Sequence, residues 1–370
     1  MTQPLRDTVE SILFSLRSLY GQYGYSRYKM NKFEEYDLYA HNKNFLISDS
    51  VITFTDGNGK LLALKPDVTL SIVKNAGDRS DALRKVYYNE NVYRMTKGSR
   101  NFKEIMQVGL ECIGRVDDYC IYEVLKLALK SLEAIHPHYV LCVSHLGILS
   151  EVLDKIGVPD KNKAEVLHLI GEKNLHELGA LLGELGVREE EIALLRHLLH
   201  TRGKTGEVLR QTEELLRGVV SEETMARYTG VLSALASEEN LSIDFSVVGD
   251  INYYNGFVFK GFVEGIPADL LSGGQYDMLM RKMGHSSEAI GFAVYLDKIE
   301  QYIRRSEKYD VDVVLLYDDT CSLPQIRDEV KRLTESGESL LACRALPVQI
   351  QYKTLLKLQN GRVDIVETHA

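Results

Sequence analysis

The sequence lacks an apolar run long enough to cross a membrane. No stretch of its 370 residues approaches the roughly 18 uninterrupted apolar residues of a membrane span. The N-terminal residues MTQPLRDTVE also lack the basic start and apolar core of a signal peptide. Both absences predict a cytoplasmic protein that makes no membrane contact.

Cysteine is scarce and is not arranged in pairs. The five cysteines form no CxxC motif, and their odd number argues against a disulfide framework. The sequence therefore predicts reduced thiols, which fits a cytoplasmic location.

A basic excess is missing as well, because the formal net charge is −9 at pH 7. Proteins that bind nucleic acid normally carry a positive excess that neutralises phosphates. The stretch around Lys97–Lys103 is locally basic, but the overall balance argues against a large RNA partner such as tRNA.

The common catalytic and metal-binding motifs are absent too. The chain has no GxxxxGK[ST] loop, no HExxH and no GxSxG. The pairs His136/His138 and His197/His200 have the spacing of metal ligands, but packed or exposed histidines explain both pairs better. We therefore expect no metal site and no cofactor.

Short strand patterns framed by helical patterns make up much of the chain. Residues 45–75 hold β-type runs around the turn Asp56-Gly57-Asn58-Gly59, which predicts a hairpin. The remaining pattern predicts helices over 7–23 and 119–134 and strands over 85–94, 104–114 and 138–146. Alternating strands are predicted over 241–265. A turn at 272–274 is predicted to lead into a helix, and a strand is predicted to run into a helix over 289–305.

Changes in composition divide the chain into parts. Residues 151–239 are rich in Leu, Glu, Ala, Lys and Arg, which predicts a helical insertion into a core formed by 1–150 and 240–305. Residues 306–370 follow as a small α/β module with predicted helices over 322–336 and 347–359. The predicted fold class is α+β, an antiparallel sheet built from two distant halves of the chain with flanking helices.

Polar residues occur inside strand patterns that otherwise bury their faces. Asp67 and Thr69 alternate on one face of KPDVT, Gln107 and Glu111 do so in MQVGLE, and Tyr254 lies in INYYNG. An acid that faces inward is costly unless it is paired. A small ligand with a cationic amine and a ring N–H would supply partners, the amine for Asp67 and the ring for Glu111. Strand ends with exposed polar residues are the alternative, and spacing alone does not choose between the two.

The same segments, in the same order, resemble the histidyl-tRNA synthetase family of class II synthetases. LALKPDVT is similar to the family's LRPE.T segment, and VYR followed by KEIMQVGLECIG resembles motif 2, with Arg94 at its arginine. INYYNG resembles the histidine motif LDYY, and SGGQYDMLMRKMG with AIGFAVYLDKI resembles GGRYD and motif 3. The resemblance covers residues 1–305 and implies a class II synthetase fold.

The chain departs from the family where adenylation of an amino acid needs charged residues. Gly249 stands where the family has an arginine that helps activate the carboxylate, and Thr96 stands at an ATP-binding glutamate. In motif 3, Tyr295 replaces a glycine and Lys298 stands at the arginine that holds ATP. Adenylation places phosphate charge beside a carboxylate and depends on preorganised cations. These departures imply ligand binding without catalysis, so no catalytic residue is expected.

A branch of this family shows the same pattern, namely the regulatory subunits of ATP phosphoribosyltransferase. They carry an aspartate in an LRPD.T segment, and Asp67 stands at that position here. Similarity to this branch implies a hetero-octamer with the short-form catalytic subunit and a homodimer through the synthetase-like core. It also implies L-histidine as the effector. The expected function is activation and histidine feedback regulation of the first step of histidine biosynthesis.

The resemblance further implies a histidine site. Asp67, Thr69 and Gln107 would hold the α-ammonium group, Glu111 and Tyr254 would bind the imidazole, and Arg94 would pair with the carboxylate. The complete expected set is Asp67, Thr69, Arg94, Gln107, Glu111, Tyr253, Tyr254 and Tyr276. Two alternatives stay open, an active histidyl-tRNA synthetase and a synthetase-like interaction protein without a ligand.

Overall fold

The computed structural model describes residues 9–42, 51–75, 83–95, 101–249, 253–300 and 309–369. The chain forms two compact units, Met1–Glu300 and Gln301–Ala370. Within the described ranges, no helix has both the length and the apolar character needed to span a membrane. The fold class predicted from the sequence is confirmed, since the first unit has a large sheet with flanking helices.

The first unit alternates helices and strands along its whole length. Its helices are α1 Val9–Gln22, α2 Tyr36–His41, α3 Thr69–Lys74, α4 Asp118–Ile135, α5 Leu146–Lys155, α6 Asp160–Gly171, α7 Leu175–Glu184, α8 Glu189–His200, α9 Thr205–Leu216, α10 Glu222–Ser233 and α11 Asp277–Lys282. Its strands are β1 Ser26–Arg27, β2 Phe33–Glu35, β3 Thr53–Thr55, β4 Leu61–Leu64, β5 Arg84–Met95, β6 Phe102–Gly114, β7 Tyr139–His145, β8 Arg202–Lys204, β9 Leu241–Asp244, β10 Phe257–Val263, β11 Leu271–Gln275 and β12 Glu288–Tyr295.

The central feature is a nine-stranded sheet in the order β1-β5-β6-β12-β11-β10-β7-β9-β8. In this order, all neighbouring strands from β5 through β6, β12, β11 and β10 to β7 are antiparallel. The pairs β1 with β5 and β7 with β9 are parallel. Strand β6 therefore lies beside β12, although the helices α4 to α10 separate them in sequence. This arrangement brings residues near 67–111 together with residues near 247–295.

One face of the sheet is covered by α1 and α4. Asp117 caps the N-terminus of α4, because its carboxylate accepts a hydrogen bond from the Cys120 amide at 2.9 Å. The apolar side of α4 packs on β7, β10 and β12. From α1, the Tyr20 ring lies 6.0 Å from the Phe292 ring. A Cβ added to Gly261 would lie 2.7 Å from Leu132 Cδ1, so glycine lets the helix approach the strand closely. The opposite face of the central strands is left for the cavity described below.

Helices α5 to α10 lie between β7 and β9 in sequence, with the short β8 pairing with β9. Arg227 of α10 connects this helical part to the start of α4, because its Nη2 donates to the Val116 carbonyl at 2.7 Å and its Nε to Asp118 Oδ1 at 3.0 Å.

A separate three-stranded sheet, β2-β4-β3, contains the predicted hairpin. Thr55 pairs with Leu61 across the turn, and Gly59 has a φ of +82°, a conformation that glycine adopts readily. The hairpin prediction is confirmed. The run at 45–49 that was predicted beside it lies outside the described residues.

The second unit has a four-stranded sheet, β14-β13-β15-β16, and one described helix. Its elements are β13 Val311–Tyr317, α12 Leu323–Glu335, β14 Leu340–Cys343, β15 Tyr352–Gln359 and β16 Arg362–Thr368. The predicted helix over 347–359 is wrong, because Tyr352–Gln359 forms β15, parallel to β13. Leu356 and Leu358 alternate onto the face that packs with Leu333 of α12, and this tertiary contact outweighs helix propensity.

Candidate functional site

A cavity of about 440 Å³ lies over the free face of the central strands. Its floor comes from β5, β6, β12, β11 and β10, and its walls come from residues 67–69, 247–249, 253–254 and 276. It contains all eight residues of the predicted histidine site. Chain segments that are distant in sequence therefore meet in one place.

The cavity exists because small residues stand in the middle of the floor. Three small residues lie directly opposite one another across neighbouring strands, namely Gly109 on β6, Ala293 on β12 and Ser272 on β11. The row continues to Tyr88 on β5 at one end and to Lys260 on β10 at the other. Residues that pair directly in an antiparallel sheet point to the same face. The Tyr88 phenol lies over Gly109, with its oxygen 2.5 Å from where a Cβ of Gly109 would be, so the open space of this row lies above Ala293 and Ser272. The predicted turn at 272–274 is wrong, since these residues belong to β11.

A second row runs beside the first and carries Glu111. Glu111 pairs with Gly291, and Gly291 with Gly274. A Cβ added to Gly291 would lie 1.8 Å from Glu111 Oε2 and 2.4 Å from the Leu110 carbonyl oxygen, so the carboxylate of Glu111 occupies the space above this glycine. The glycine allows the acid to lie across the floor.

Glu111 is only 2% exposed and has two hydrogen-bond donors. Thr69 Oγ1 donates to its Oε1 at 2.8 Å, and Tyr276 Oη donates to its Oε2 at 2.6 Å. Burial raises the pKa of Glu111 to about 8, and the charge of Asp67 adds to the rise, although the two hydrogen bonds act in the opposite direction. Near neutral pH this carboxyl group therefore gains or loses a proton easily.

Asp67 and Arg94 form the wall next to Glu111. Asp67 Oδ1 accepts from the Leu70 amide at 2.9 Å, so Asp67 lies just before helix α3. The strand predicted from the KPDVT pattern is therefore wrong at this residue. Arg94 Nε donates to the Pro66 carbonyl at 2.6 Å, and its Nη2 lies 3.4 Å from Asp67 Oδ2. The guanidinium group of Arg94 thus holds the 66–67 loop in place.

Gln107 supplies a donor that is not used within the described protein. It is 3% exposed, and its Nε2 has no hydrogen-bond partner among the described residues. A buried amide without a partner costs about 1–3 kcal/mol. This side chain therefore suits a ligand that brings an oxygen acceptor.

Three tyrosines close the cavity around Glu111. The rings of Tyr253 and Tyr254 are 4.6 Å apart, and those of Tyr253 and Tyr276 are 5.8 Å apart. Residues 253 and 254 lie outside the strands, so both side chains line the cavity rather than opposite faces of a sheet. Burial raises the pKa of each phenol, so all three stay protonated.

The far end of the cavity contains residues that the sequence did not single out as ligand-binding. Ser272 Oγ and Tyr295 Oη are 2.8 Å apart, and Lys298 Nζ lies 4.3 Å above the Tyr295 ring. Lys298 also donates to the Asp269 carbonyl, and Lys260 lines the same end. The alternation of FVFKGF carries a signal for Lys260, because a lysine there shares a face with Val258 rather than with the buried phenylalanines.

The described residues contain no group of three or more His, Cys, Asp or Glu side chains arranged to hold a metal ion. The polar groups of the cavity are instead carboxylates, hydroxyls, an amide and cations. They suit a small zwitterionic ligand with hydrogen-bonding groups at both ends.

Comparisons with known proteins agree with this geometry. A family model for histidyl-tRNA synthetase matches residues 4–299. A curated ATP phosphoribosyltransferase regulatory subunit of Clostridium kluyveri is 28% identical over 344 residues, which cover 89% of this chain and 86% of that protein.

Two solved structures share the fold. One is an ATP phosphoribosyltransferase regulatory subunit/histidyl-tRNA synthetase from Bacillus halodurans C, with a TM-score of 0.70, 22% identity and 92% of each chain covered. The other belongs to an ATP phosphoribosyl transferase (HisG:HisZ) complex from Thermotoga maritima, with a TM-score of 0.62, 19% identity, and 79% of this chain and 98% of that chain covered. Since the family model matches well over half of the sequence, the chain belongs to the histidyl-tRNA synthetase family.

Proposed function

We propose that this protein is a non-catalytic regulatory subunit that activates a short-form ATP phosphoribosyltransferase and makes it sensitive to histidine. The curated relative in Clostridium kluyveri bears the name of such a subunit, and one structural neighbour comes from an ATP phosphoribosyl transferase complex. In this proposal the protein dimerises through its first unit and joins the catalytic subunit in a hetero-octamer.

The observation that carries the proposal is the complete amino-acid end of the cavity. Glu111 is buried and holds donors from Thr69 and Tyr276, while Asp67 is fixed beside it by Arg94. In the proposed complex Glu111 and Tyr254 bind the imidazole, and Asp67 with Thr69 holds the α-ammonium group. These contacts use charge-assisted hydrogen bonds in a water-poor site.

Two contacts support binding without adenylation. A Cβ added to Gly249 would lie 2.5 Å from Tyr254 Cδ2, so an arginine at this position would displace the Tyr254 ring. Tyr295 is hydrogen-bonded to Ser272 and covered by Lys298, which places a bulky ring at the end of the cavity where the family has a glycine. Both features remove elements that would hold an activated carboxylate or a nucleotide.

The direct test is formation of phosphoribosyl-ATP by the short catalytic subunit of the same organism. We expect that adding this protein stimulates the reaction and that histidine reverses the stimulation. If the catalytic subunit does not respond, the proposal is wrong. Histidine-dependent exchange of pyrophosphate into ATP would then identify a working synthetase instead.

Replacing Glu111 with Gln keeps the size of the side chain but removes the carboxylate that a bound cationic group would hold in its ionised form. We expect the concentration of histidine needed for half-inhibition to rise roughly 10- to 100-fold, because a hydrogen bond to a charged group contributes about 1.5–3 kcal/mol. Assembly with the catalytic subunit, measured by size-exclusion chromatography, should be unchanged.

Glu104→Gln is the matched control, since Glu104 lies on the same strand but is exposed and bonds to Asn91 and Tyr93 outside the cavity. An equal loss of histidine response in both variants would show that the effect is not local to the cavity.

A further inference from the structure

Resting on the function proposed above, we propose that Lys260 binds the carboxylate of the ligand and thereby makes the site selective for an amino acid over the corresponding amine or alcohol. Its role would be positioning and selectivity, at the end of the cavity opposite Glu111.

The strand register places Lys260 at a suitable distance from Glu111. Both residues line the cavity, and β6 and β10 are separated by β12 and β11. Three steps between neighbouring strands span about 14 Å from backbone to backbone. The carboxylate of Glu111 lies over Gly291, one strand nearer to β10, so about two strand steps, roughly 10 Å, remain. This gap has room for a single amino acid. Ser272 and Ala293, which lie between them on the floor, leave this gap open.

The charges of the neighbouring residues point to the same role. Arg94 is already engaged by the Pro66 carbonyl and by Asp67, and Lys298 is engaged by Asp269. Lys260, in contrast, has no ion pair or hydrogen bond among the described residues. Among the described lining residues, its ammonium group is therefore a cation that is available to an anionic group.

Gln107 adds a second polar group to the ligand site. Its Nε2 is buried without a partner in the described part of the chain and faces the same cavity. Gln107 lies on β6 and Lys260 on β10, three strands away, so the amide contacts a different part of the ligand from the ammonium group. The ligand then extends from Glu111 across the floor at Ala293 and Ser272 to Lys260.

The experiment is calorimetric titration of the full-length protein with L-histidine and with L-histidinol, which keeps the imidazole and the ammonium group but carries a hydroxymethyl group in place of the carboxylate. The wild-type protein should bind histidine roughly 10- to 100-fold more tightly than histidinol. In Lys260→Met we expect this ratio to fall to about threefold or less, with histidinol affinity nearly unchanged, because only the carboxylate contact is lost.

Two further variants serve as controls. Lys260→Arg keeps a cation and should retain most of the preference for histidine, and it also serves if the methionine variant does not fold. Lys298→Met removes the neighbouring lysine, whose ammonium group already contacts Asp269, and should leave the ratio unchanged.

The possible results separate this inference from the proposed function. If the wild-type protein prefers histidine and Lys260→Met retains the full preference, the role of Lys260 is wrong while the regulatory function stands. If the wild-type protein binds neither compound, Lys260 has no carboxylate to recognise and the inference fails. The activation assay then decides separately whether the protein still stimulates the catalytic subunit.

Discussion

Glu111 is a carboxylic acid enclosed by a threonine, a tyrosine and a glycine, and its protonation affects the stability of the fold. Burial raises its pKa in the folded protein to about 8, from an ordinary value of 4.5. Between these two values the folded state binds a proton that the unfolded state has released. The contribution of Glu111 is therefore fully present below about pH 4.5 and is lost as the pH rises through 8.

We therefore expect the free energy of unfolding of the wild-type protein, relative to that of Glu111→Gln, to decrease between pH 5 and pH 8. The slope should reach up to about 1.4 kcal/mol per pH unit, because one pKa unit corresponds to that free energy. Urea unfolding of both proteins across this range measures it. Other titrating groups such as His145 are common to both proteins and cancel in the difference. A difference that is independent of pH would show that Glu111 is ionised in the folded state.

At the level of single residues, part of the site could be predicted from the sequence. The alternation of MQVGLE correctly placed Gln107 and Glu111 on one face, since strand periodicity is a local property. The same argument was wrong for Asp67 and Thr69, because Asp67 caps the first turn of α3 and Thr69 begins that helix. The prediction did not include Lys260, because the alternation of FVFKGF assigns it to a face but does not show which side chains of other strands surround it.

At the scale of secondary structure, the glycine positions in β6, β11 and β12 determine the shape of the cavity. A Cβ at Gly291 would contact both the carboxylate of Glu111 and the carbonyl oxygen of Leu110. The backbone contact cannot be relieved by rotation of a side chain, so a substitution must also disturb the pairing of β6 with β12.

We expect Gly291→Ala to abolish detectable histidine binding and to lower the free energy of unfolding by roughly 1–3 kcal/mol. Calorimetry and urea unfolding measure the two effects. Gly57→Ala is the control, because no heavy atom lies within 4 Å of its added Cβ and the residue lies in the hairpin turn. If Gly291→Ala binds histidine as the wild-type protein does, Glu111 does not need the space above the glycine.

The elements themselves were predictable where their signals are local. The hairpin around Gly59 was confirmed, as were the long strands β5 and β6, because turn residues and alternation are sufficient there. Strand β15 was predicted as a helix, since YKTLLKLQ suits both structures and only its pairing with β13 decides. For β11 the sequence predicts a turn, because its two glycines are typical of turns. In the structure these glycines permit close packing of neighbouring strands.

At the scale of the whole molecule, the cavity belongs to the first unit. Within the described ranges, every lining residue lies between Asp67 and Tyr295. We therefore expect a chain that ends at residue 308 to bind histidine with the affinity of the full-length protein, measured by calorimetry after circular dichroism has shown that it is folded. A folded but non-binding truncated chain would show that the second unit contributes to the site.

The order of strands in the large sheet did not follow from patterns along the chain. Periodicity locates strands but does not say that β6 pairs with β12 rather than with β7, which comes sooner in sequence. The class II fold was predicted from the resemblance of five ordered segments to a known family, and the family model confirms this resemblance. The long-range pairing is a property of the whole molecule.

That pairing has a consequence for synthesis of the protein. Strand β6 ends at Gly114, and its neighbour β12 begins at Glu288. Ribosomes add about 5–20 residues each second, so the inner edge of β6 waits on the order of ten seconds or more for its partner. During this time the helices α5 to α10 emerge and can form from local contacts. The strand edge meanwhile stays exposed to other chains, which makes the rate of translation and the presence of chaperones important for the yield of folded protein.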